Sequence, residues 1–321
     1  MRFVTKPALS YDDVLLLPQH WDGGSRSEVD IKAELFPGIY MPNPIISANM
    51  DTVTNNKVAK AMFRNGGCGI LHRYATHLEI EGSLRNLLVE YISIRIPSIG
   101  TTDPKDIDMV FLWNSFGLVT GLNIDIAHGD SKSMIDTIKT LKSGGFTQPI
   151  IAGNVATADA CKRLLDAGAS TIKCGIGNGK ACETQAATGH GNKQFSTILA
   201  CANAVHERGG TLIADGSIRS SGDIVKALAA GADSVMVGSL FAGSKEIGLD
   251  YYRGMAGEDA QKAFKGTAKN IEGKTINNVA QNKSIAEIMK GLIEGIQSGF
   301  SYSGAHNINE LRENAEFVIL K

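Results

Sequence analysis

The chain has 321 residues, 43% of them hydrophobic, so it can bury one large core or two smaller ones. A formal net charge of −1 leaves no case for a nucleic-acid binder or a basic membrane-surface patch. No apolar run reaches the roughly 18 to 20 residues that span a bilayer, and the N-terminus lacks the apolar stretch of a secretory signal.

Residues 1–43 read as an entry segment. Leu9 to Pro18 is a turn followed by an apolar stretch that proline stops, and Ser25 to Asp30 is polar. From Pro44 a rhythm sets in of short apolar run, polar or glycine loop, and helical pattern. Strands are predicted at Pro44 to Ala48, Gly69 to His72, Ser93 to Gly100, Gly121 to Ala127, Pro149 to Gly153, Thr171 to Cys174, Thr211 to Asp215 and Ser234 to Gly238. Helical patterns lie between them at Asn55 to Arg64, Ser131 to Leu141, Ala158 to Ala167, Phe195 to Glu207 and Gly222 to Ala229. At three helix-to-strand junctions, NGGCGI, AGASTI and AGADSV, a glycine falls where a left-handed helix end belongs. Beyond the eighth strand come YYRGMAG (Tyr251 to Gly257), KNIEGKT (Lys269 to Thr275), a helical run from Ser284 to Gln297, GFSYSG (Gly299 to Gly304) and a final apolar FVIL. Lys269, Glu272 and Lys274 read, on spacing alone, as a solvated loop.

Eight buried strands alternating with helices point to a parallel sheet, and eight is the number that closes a (β/α)8 TIM barrel. The alternative, an open doubly wound sheet, wants a GxGxxG after its first strand, which is missing here. No linker or low-complexity tract divides the chain, so a single domain is expected, with an N-terminal entry segment and a C-terminal extension. Chemistry in a barrel belongs at the C-terminal strand ends. Those ends carry Asn49 to Asp51, His72-Arg73, Asp125 with Ala127 and His128, Asn154, the loop after Cys174, Asp215 to Ser217 and Gly238-Ser239.

The loop after Cys174 is rich in glycine (Gly175, Gly177, Gly179) and presents Cys182, followed by Glu183 and Thr184. Glycines free the backbone to turn sharply and to approach a ligand, so the thiol can be exposed and aimed. The competing reading makes Cys182 one more small buried residue. Its strand-end position favours the nucleophile. The five cysteines (Cys68, Cys161, Cys174, Cys182, Cys201) form no CxxC pair and show no zinc spacing, which suits a reduced, cytoplasmic protein. Strands seven and eight run into DGS (Asp215 to Ser217) and GSLFAG (Gly238 to Gly243), where barrels recurrently bind phosphate. The bland reading is that these glycines only make tight turns. Asp215 cannot hold a phosphate but can accept from sugar hydroxyls.

KCGIGNGKAC (Lys173 to Cys182), IADGSIRSSGDIVKALAAGADSVMVGSLFAG (Ile213 to Gly243), YRGM (Tyr252 to Met255), ANMDTVT (Ala48 to Thr54), DIAHGDS (Asp125 to Ser131) and AGNVAT (Ala152 to Thr157) together resemble the IMP dehydrogenase / GMP reductase family, over nearly the whole chain. The resemblance implies a (β/α)8 barrel that binds a purine 5′-monophosphate and a nicotinamide cofactor and forms a cysteine adduct at purine C2. Neither the CBS-domain pair that the dehydrogenases usually carry nor an Arg-Tyr pair between Met255 and Glu272 is present, which favours the reductase branch; the resemblance to that branch implies NADPH-dependent conversion of GMP, or an analogue such as dGMP, to IMP and ammonia.

By that resemblance Cys182 is the nucleophile, and Thr184 with Glu272 behind it protonates the leaving amine. Asp215 binds ribose; Gly216, Ser217, Gly238, Ser239 and Tyr252 cradle the phosphate; Gly254 and Met255 meet the base. Arg73, Asp125, Ala127, Gly175, Ser303 and Gly304 fall to the cofactor. The carbonyls of Gly177, Gly179 and Cys182 suit a monovalent cation such as potassium, and a homotetramer is the family's usual assembly. Two other readings stay open: an IMP dehydrogenase without CBS domains, and a catalytically silent barrel that only binds nucleotide. Asn178 stands where the family usually has proline, Ser217 where a second glycine is commoner, and Glu183-Thr184-Gln185 where Thr-Thr-Arg is typical. Glu183 beside the thiol would disfavour thiolate unless its charge is met elsewhere.

Overall fold

The computed structural model describes residues 7–320, so residues 1–6 of the predicted entry segment lie outside it. Eight parallel strands close into a barrel: β1 (Ile45–Ser47), β2 (Cys68–Leu71), β3 (Ile96–Ile99), β4 (Leu122–Asp125), β5 (Ile150–Val155), β6 (Thr171–Cys174), β7 (Thr211–Asp215) and β8 (Ser234–Val237). Each pairs with the next in sequence, and β8 returns to β1 through Val235↔Ile45 and Met236↔Ile46. Every residue of β1, β2, β3, β6 and β8 is buried, as strands packed between a barrel interior and a helical shell must be. This is the (β/α)8 barrel that the sequence pattern predicts.

The helices begin where the sequence supplies caps. In α1 (Asn56–Arg64) the Asn55 side chain accepts from Val58 N, and Ser131 and Thr157 do the same for α4 (Lys132–Ser143) and α5 (Ala158–Asp166). Five α-helices go beyond the predicted set: three short ones, Thr184–Thr188, Glu258–Lys265 and Ile308–Asn314, and two in the barrel shell. α2 (His77–Val89) opens with a Thr76–Glu79 capping box, and α3 (Pro104–Ser115) with an Asp103 cap and proline in its first turn. The remaining shell helices are α6 (Gln194–His206), α7 (Ser221–Ala229) and α8 (Ile285–Tyr302). At the three predicted junctions Gly66, Gly168 and Gly231 all sit at φ between +80 and +115, a region where a side chain would be strained.

The flanking segments close the two outer regions. Val14–Leu16 pairs antiparallel with Phe317–Ile319, stitching the entry segment to the C-terminal extension. A hairpin of Ala33–Phe36 and Ile39–Met41 covers the N-terminal end of the barrel. There the Leu35 carbonyl accepts from Thr171 Oγ1 at 3.1 Å and Thr211 Oγ1 at 3.0 Å, the first residues of β6 and β7. With that end plugged, the C-terminal end is left as the open face.

Candidate active site

A cavity of about 660 Å³ opens at the C-terminal strand ends, and Cys182 lies on its wall. Cys182 is half-buried, whereas Cys68, Cys161, Cys174 and Cys201 are buried. Its position is built by a strand-like mesh after β6. Lys274 N donates to Ala181 O at 3.0 Å and Glu183 N to Glu272 O at 2.8 Å, while Gly254 N donates to Lys274 O at 3.0 Å. The 272–274 segment is therefore threaded between the cysteine loop and the segment that follows Tyr252. A second hairpin, Tyr251–Arg253 with Thr275–Asn277, holds it there.

This mesh makes a short polar chain. The Cys182 thiol donates to Thr184 Oγ1 at 3.2 Å, and Thr184 Oγ1 donates to Glu272 Oε2 at 2.9 Å. Thiol, hydroxyl and carboxylate are in series, so a proton leaving sulfur has a route to a base and back. Glu272, which spacing alone assigns to a solvated loop, is half-buried on the cavity wall. Glu183, the extra carboxylate beside the thiol, forms an ion pair with Lys274.

Below the thiol lies a buried charge network. Lys173, the third residue of β6, has a side chain only 3% exposed and donates to Asp125 Oδ1 at 2.8 Å and Asp215 Oδ2 at 3.2 Å. It also donates to Asn154 Oδ1, while Asn154 Nδ2 donates to Asp215 Oδ2 at 2.8 Å and to Gly175 O at 2.8 Å. Burial alone would favour the neutral amine; the two carboxylates more than reverse this and raise the Lys173 pKa. Burial likewise opposes ionisation of Asp125, yet Lys173 and Arg73 outweigh it and hold its carboxyl below the usual range. One ammonium thus joins Asp125 on β4 to Asp215 on β7.

The predicted phosphate residues Gly216, Ser217, Gly238, Ser239 and Tyr252 line the same cavity, with Gly254 and Met255 beside them. A Cβ on Gly238 would lie 2.9 Å from Tyr252 Oη, so the loop after β8 passes close over that phenol. Burial, then the nearby Asp215 and Cys182, raise the Tyr252 pKa, which keeps its hydroxyl a donor. Ser217 has φ +60, and both its N–H and its hydroxyl donate to Asn178 O at 3.0 Å.

Of the residues predicted for the cofactor, Arg73, Asp125, Ala127 and Gly175 also face the cavity. Arg73 lies over the Tyr74 ring and leaves its Nε buried without an acceptor. Ser303 and Gly304 are not brought there. They end α8, and a Cβ on Gly304 would meet the His20 carbonyl at 2.3 Å. Among the three carbonyls predicted to suit a cation, that of Gly179 already accepts from Cys182 N at 3.0 Å. Lys173, Asn154 and Lys274 are the members of the site that sequence reasoning leaves unassigned. A lysine inside a strand whose every neighbour is apolar was the signal for the first of them.

Among the described residues no helix is long and apolar enough to cross a membrane. The sequence model of the IMP dehydrogenase / GMP reductase domain matches residues 8–86 and 118–321. The chain is 36% identical to the GMP reductase of Bacillus subtilis, covering 97% of this chain and 95% of that one. It is 35% identical to the GMP reductase of Ligilactobacillus salivarius, covering 98% and 97% respectively. An inosine-5′-monophosphate dehydrogenase of Nitrosopumilus maritimus is 28% identical, over 98% of this chain and 96% of its own. A cysteine on a closed barrel's mouth, a family match across both halves of the fold and end-to-end relatives above 30% identity converge: the chain belongs to the IMP dehydrogenase / GMP reductase family.

Proposed function

We propose that the protein is an NADPH-dependent GMP reductase, converting GMP or a close analogue such as dGMP to IMP and ammonia. The observation that carries this reading is the unbroken series Cys182 Sγ, Thr184 Oγ1, Glu272 Oε2, with steps of 3.2 and 2.9 Å. Cys182 attacks C2 of the guanine ring, and its proton passes through Thr184 to Glu272. The same path run backwards protonates the 2-amino group, which departs as ammonia and leaves a thioimidate between Sγ and C2. NADPH, when bound, supplies the hydride that C2 accepts. Breaking the S–C2 bond then releases IMP and a thiolate, which takes up a proton from solvent to restore the thiol.

In this reading Asp215, held at Oδ2 by Lys173 and Asn154, accepts from the ribose hydroxyls. Gly216, Gly238, Ser239 and the Tyr252 hydroxyl surround the phosphate, with Ser217 in the same turn but both its donors held by Asn178 O, and Gly254 and Met255 meet the base. Arg73, Asp125, Ala127 and Gly175 would hold the cofactor, and the orphaned Arg73 Nε is a donor that a dinucleotide can satisfy. Ser303 and Gly304 enter only if a neighbouring copy in a tetramer shares the pocket. A monovalent cation would add to the Gly177, Gly179 and Cys182 carbonyls as a further partner.

A panel of GMP, dGMP and IMP against NADPH, NADH and NAD tests the proposal. The expected result is loss of reduced-cofactor absorbance and release of ammonia with a guanine nucleotide. Cofactor oxidation by none of them would overturn it. NAD-dependent turnover of IMP to XMP would instead favour the dehydrogenase reading, which the Nitrosopumilus relative supports. Purine binding without turnover, insensitive to Cys182→Ala, would favour a silent binding barrel.

A further inference from the structure

We propose that Asn178 and Ser217 form a latch that positions the Cys182 loop. Strands β6 and β7 end side by side, with Cys174 opposite Ala214, and the backbone beyond them is in direct contact. Gly175 has φ +137, and a Cβ there would fall 1.9 Å from Asp215 O; Gly216 has φ +119, and a Cβ there would fall 2.9 Å from Asn178 Cβ. Only glycine allows that approach. Ser217 follows at φ +60, a region that disfavours serine, and it places both its donors on one acceptor, the Asn178 carbonyl. The Asn178 side chain then donates to Gln194 Oε1 at 2.8 Å, and Gln194, 1% exposed, donates to Cys174 O at 3.0 Å.

The apex of the loop is thus tied on one side to the turn after β7 and on the other to α6 and the end of its own strand. Four residues beyond Asn178, Cys182 N closes onto Gly179 O at 3.0 Å, so the restraint runs through to the nucleophile. A glycine at 217 would relieve the left-handed backbone and could still donate its N–H; the hydroxyl bond is what serine adds. Asn178 and Ser217 are also two of the positions at which the chain departs from the family pattern, and the structure joins them. Because both Ser217 donors are engaged, its contribution here is to hold the loop rather than to bind phosphate. The kinetic arm of the test rests on the proposed reaction; the chemical arm does not.

Alkylation by iodoacetamide reads Cys182 in the free protein, since the other four cysteines are buried. Ser217→Gly and Asn178→Ala are each expected to raise the Cys182 alkylation rate about fivefold, the equivalent of one hydrogen bond. With guanine nucleotide and NADPH, kcat is expected to fall about fivefold with KM within about twofold. Ser217→Gly should melt no lower than the parent protein, which separates loss of positioning from loss of scaffold. Alkylation and kcat within about twofold of the parent in both variants would overturn the latch, as would a fall in kcat that tracks a fall in melting temperature. Should the parent protein turn over no guanine nucleotide, the alkylation rates alone decide, and the latch stands or falls apart from the reaction.

Discussion

The barrel buries ionised groups at both ends, and the two clusters are built differently. At the plugged end Asp233, 7% exposed, accepts from Leu212 N at 2.7 Å, His206 Nε2 at 2.9 Å and Arg312 Nη2 at 2.8 Å. One carboxylate with several donors leaves no unmet charge facing a cavity. At the open end the ratio is inverted: one ammonium, Lys173, serves two carboxylates, and each of these borders the cavity. The first arrangement locks β7 and β8 to the shell. The second leaves acceptor capacity on Asp125 and Asp215 directed at whatever enters. The carboxylate at the plugged end has more donors than it needs; the two at the open end share one ammonium.

That contrast breaks if mutations at the two ends have interchangeable effects. The largest effect is expected from Cys182→Ala, which should lower turnover by more than about 10³-fold while leaving folding stability within about 1 kcal/mol. Nucleotide affinity should stay within about tenfold, measured by titration; loss of binding together with activity would make the residue structural. Lys173→Met should cost about 3–5 kcal/mol in chemical denaturation, because it strands two carboxylates without their cation, and should also weaken nucleotide binding. A loss of stability with unchanged binding would put this network in the same class as Asp233.

Glu272→Gln should slow ammonia release about 10²-fold in single-turnover experiments and slow hydride transfer less. Equal slowing of both steps would remove its acid role. The smallest and most discriminating effect concerns pH. Burial raises the Asp233 pKa, but His206 and Arg312 outweigh it and hold it below its usual value. A carboxyl lowered on folding contributes stability that is present above its unfolded pKa of about 3.9 and is lost as pH falls through the folded value. The cost of Asp233→Asn, measured by urea denaturation, should therefore shrink as pH falls below about 5, with turnover at neutral pH unchanged. A cost independent of pH would mean that packing, not charge, gives Asp233 its effect.

All eight strands were legible because buried parallel strands leave uninterrupted apolar runs, and left-handed glycines at helix ends marked where three of those runs begin. The third strand starts at Ile96, three residues later than Ser93 suggests, because the Arg95 guanidinium turns back to the carbonyls of Ile92, Gly117 and Leu118. α2 went unassigned although its Thr76–Glu79 box is written in the sequence. α3 carries an apolar run of which only Val110 and Trp113 are buried, so its period was faint. The chain could locate the thiol, since a glycine loop after a strand is a local signal. It could not bring Glu272 to Thr184, 88 residues away, without the resemblance to a family, because the mesh that joins them is made of backbone bonds with no side-chain signature. Lys173 was hidden by the ordinary expectation that lysines in strands reach solvent.

The pairing of Val14–Leu16 with Phe317–Ile319 ties the assembly of the pocket to the far end of the polypeptide. Ser10 and Tyr11, just ahead of the first of these strands, line the cavity, and Leu320 N reaches back to Asp13 O at 2.8 Å. During vectorial synthesis the early strand must wait for nearly the whole chain to emerge before it can find its mate. A polypeptide cut after Asn314 should therefore keep its barrel, seen by far-ultraviolet circular dichroism, yet lose part of its affinity for nucleotide.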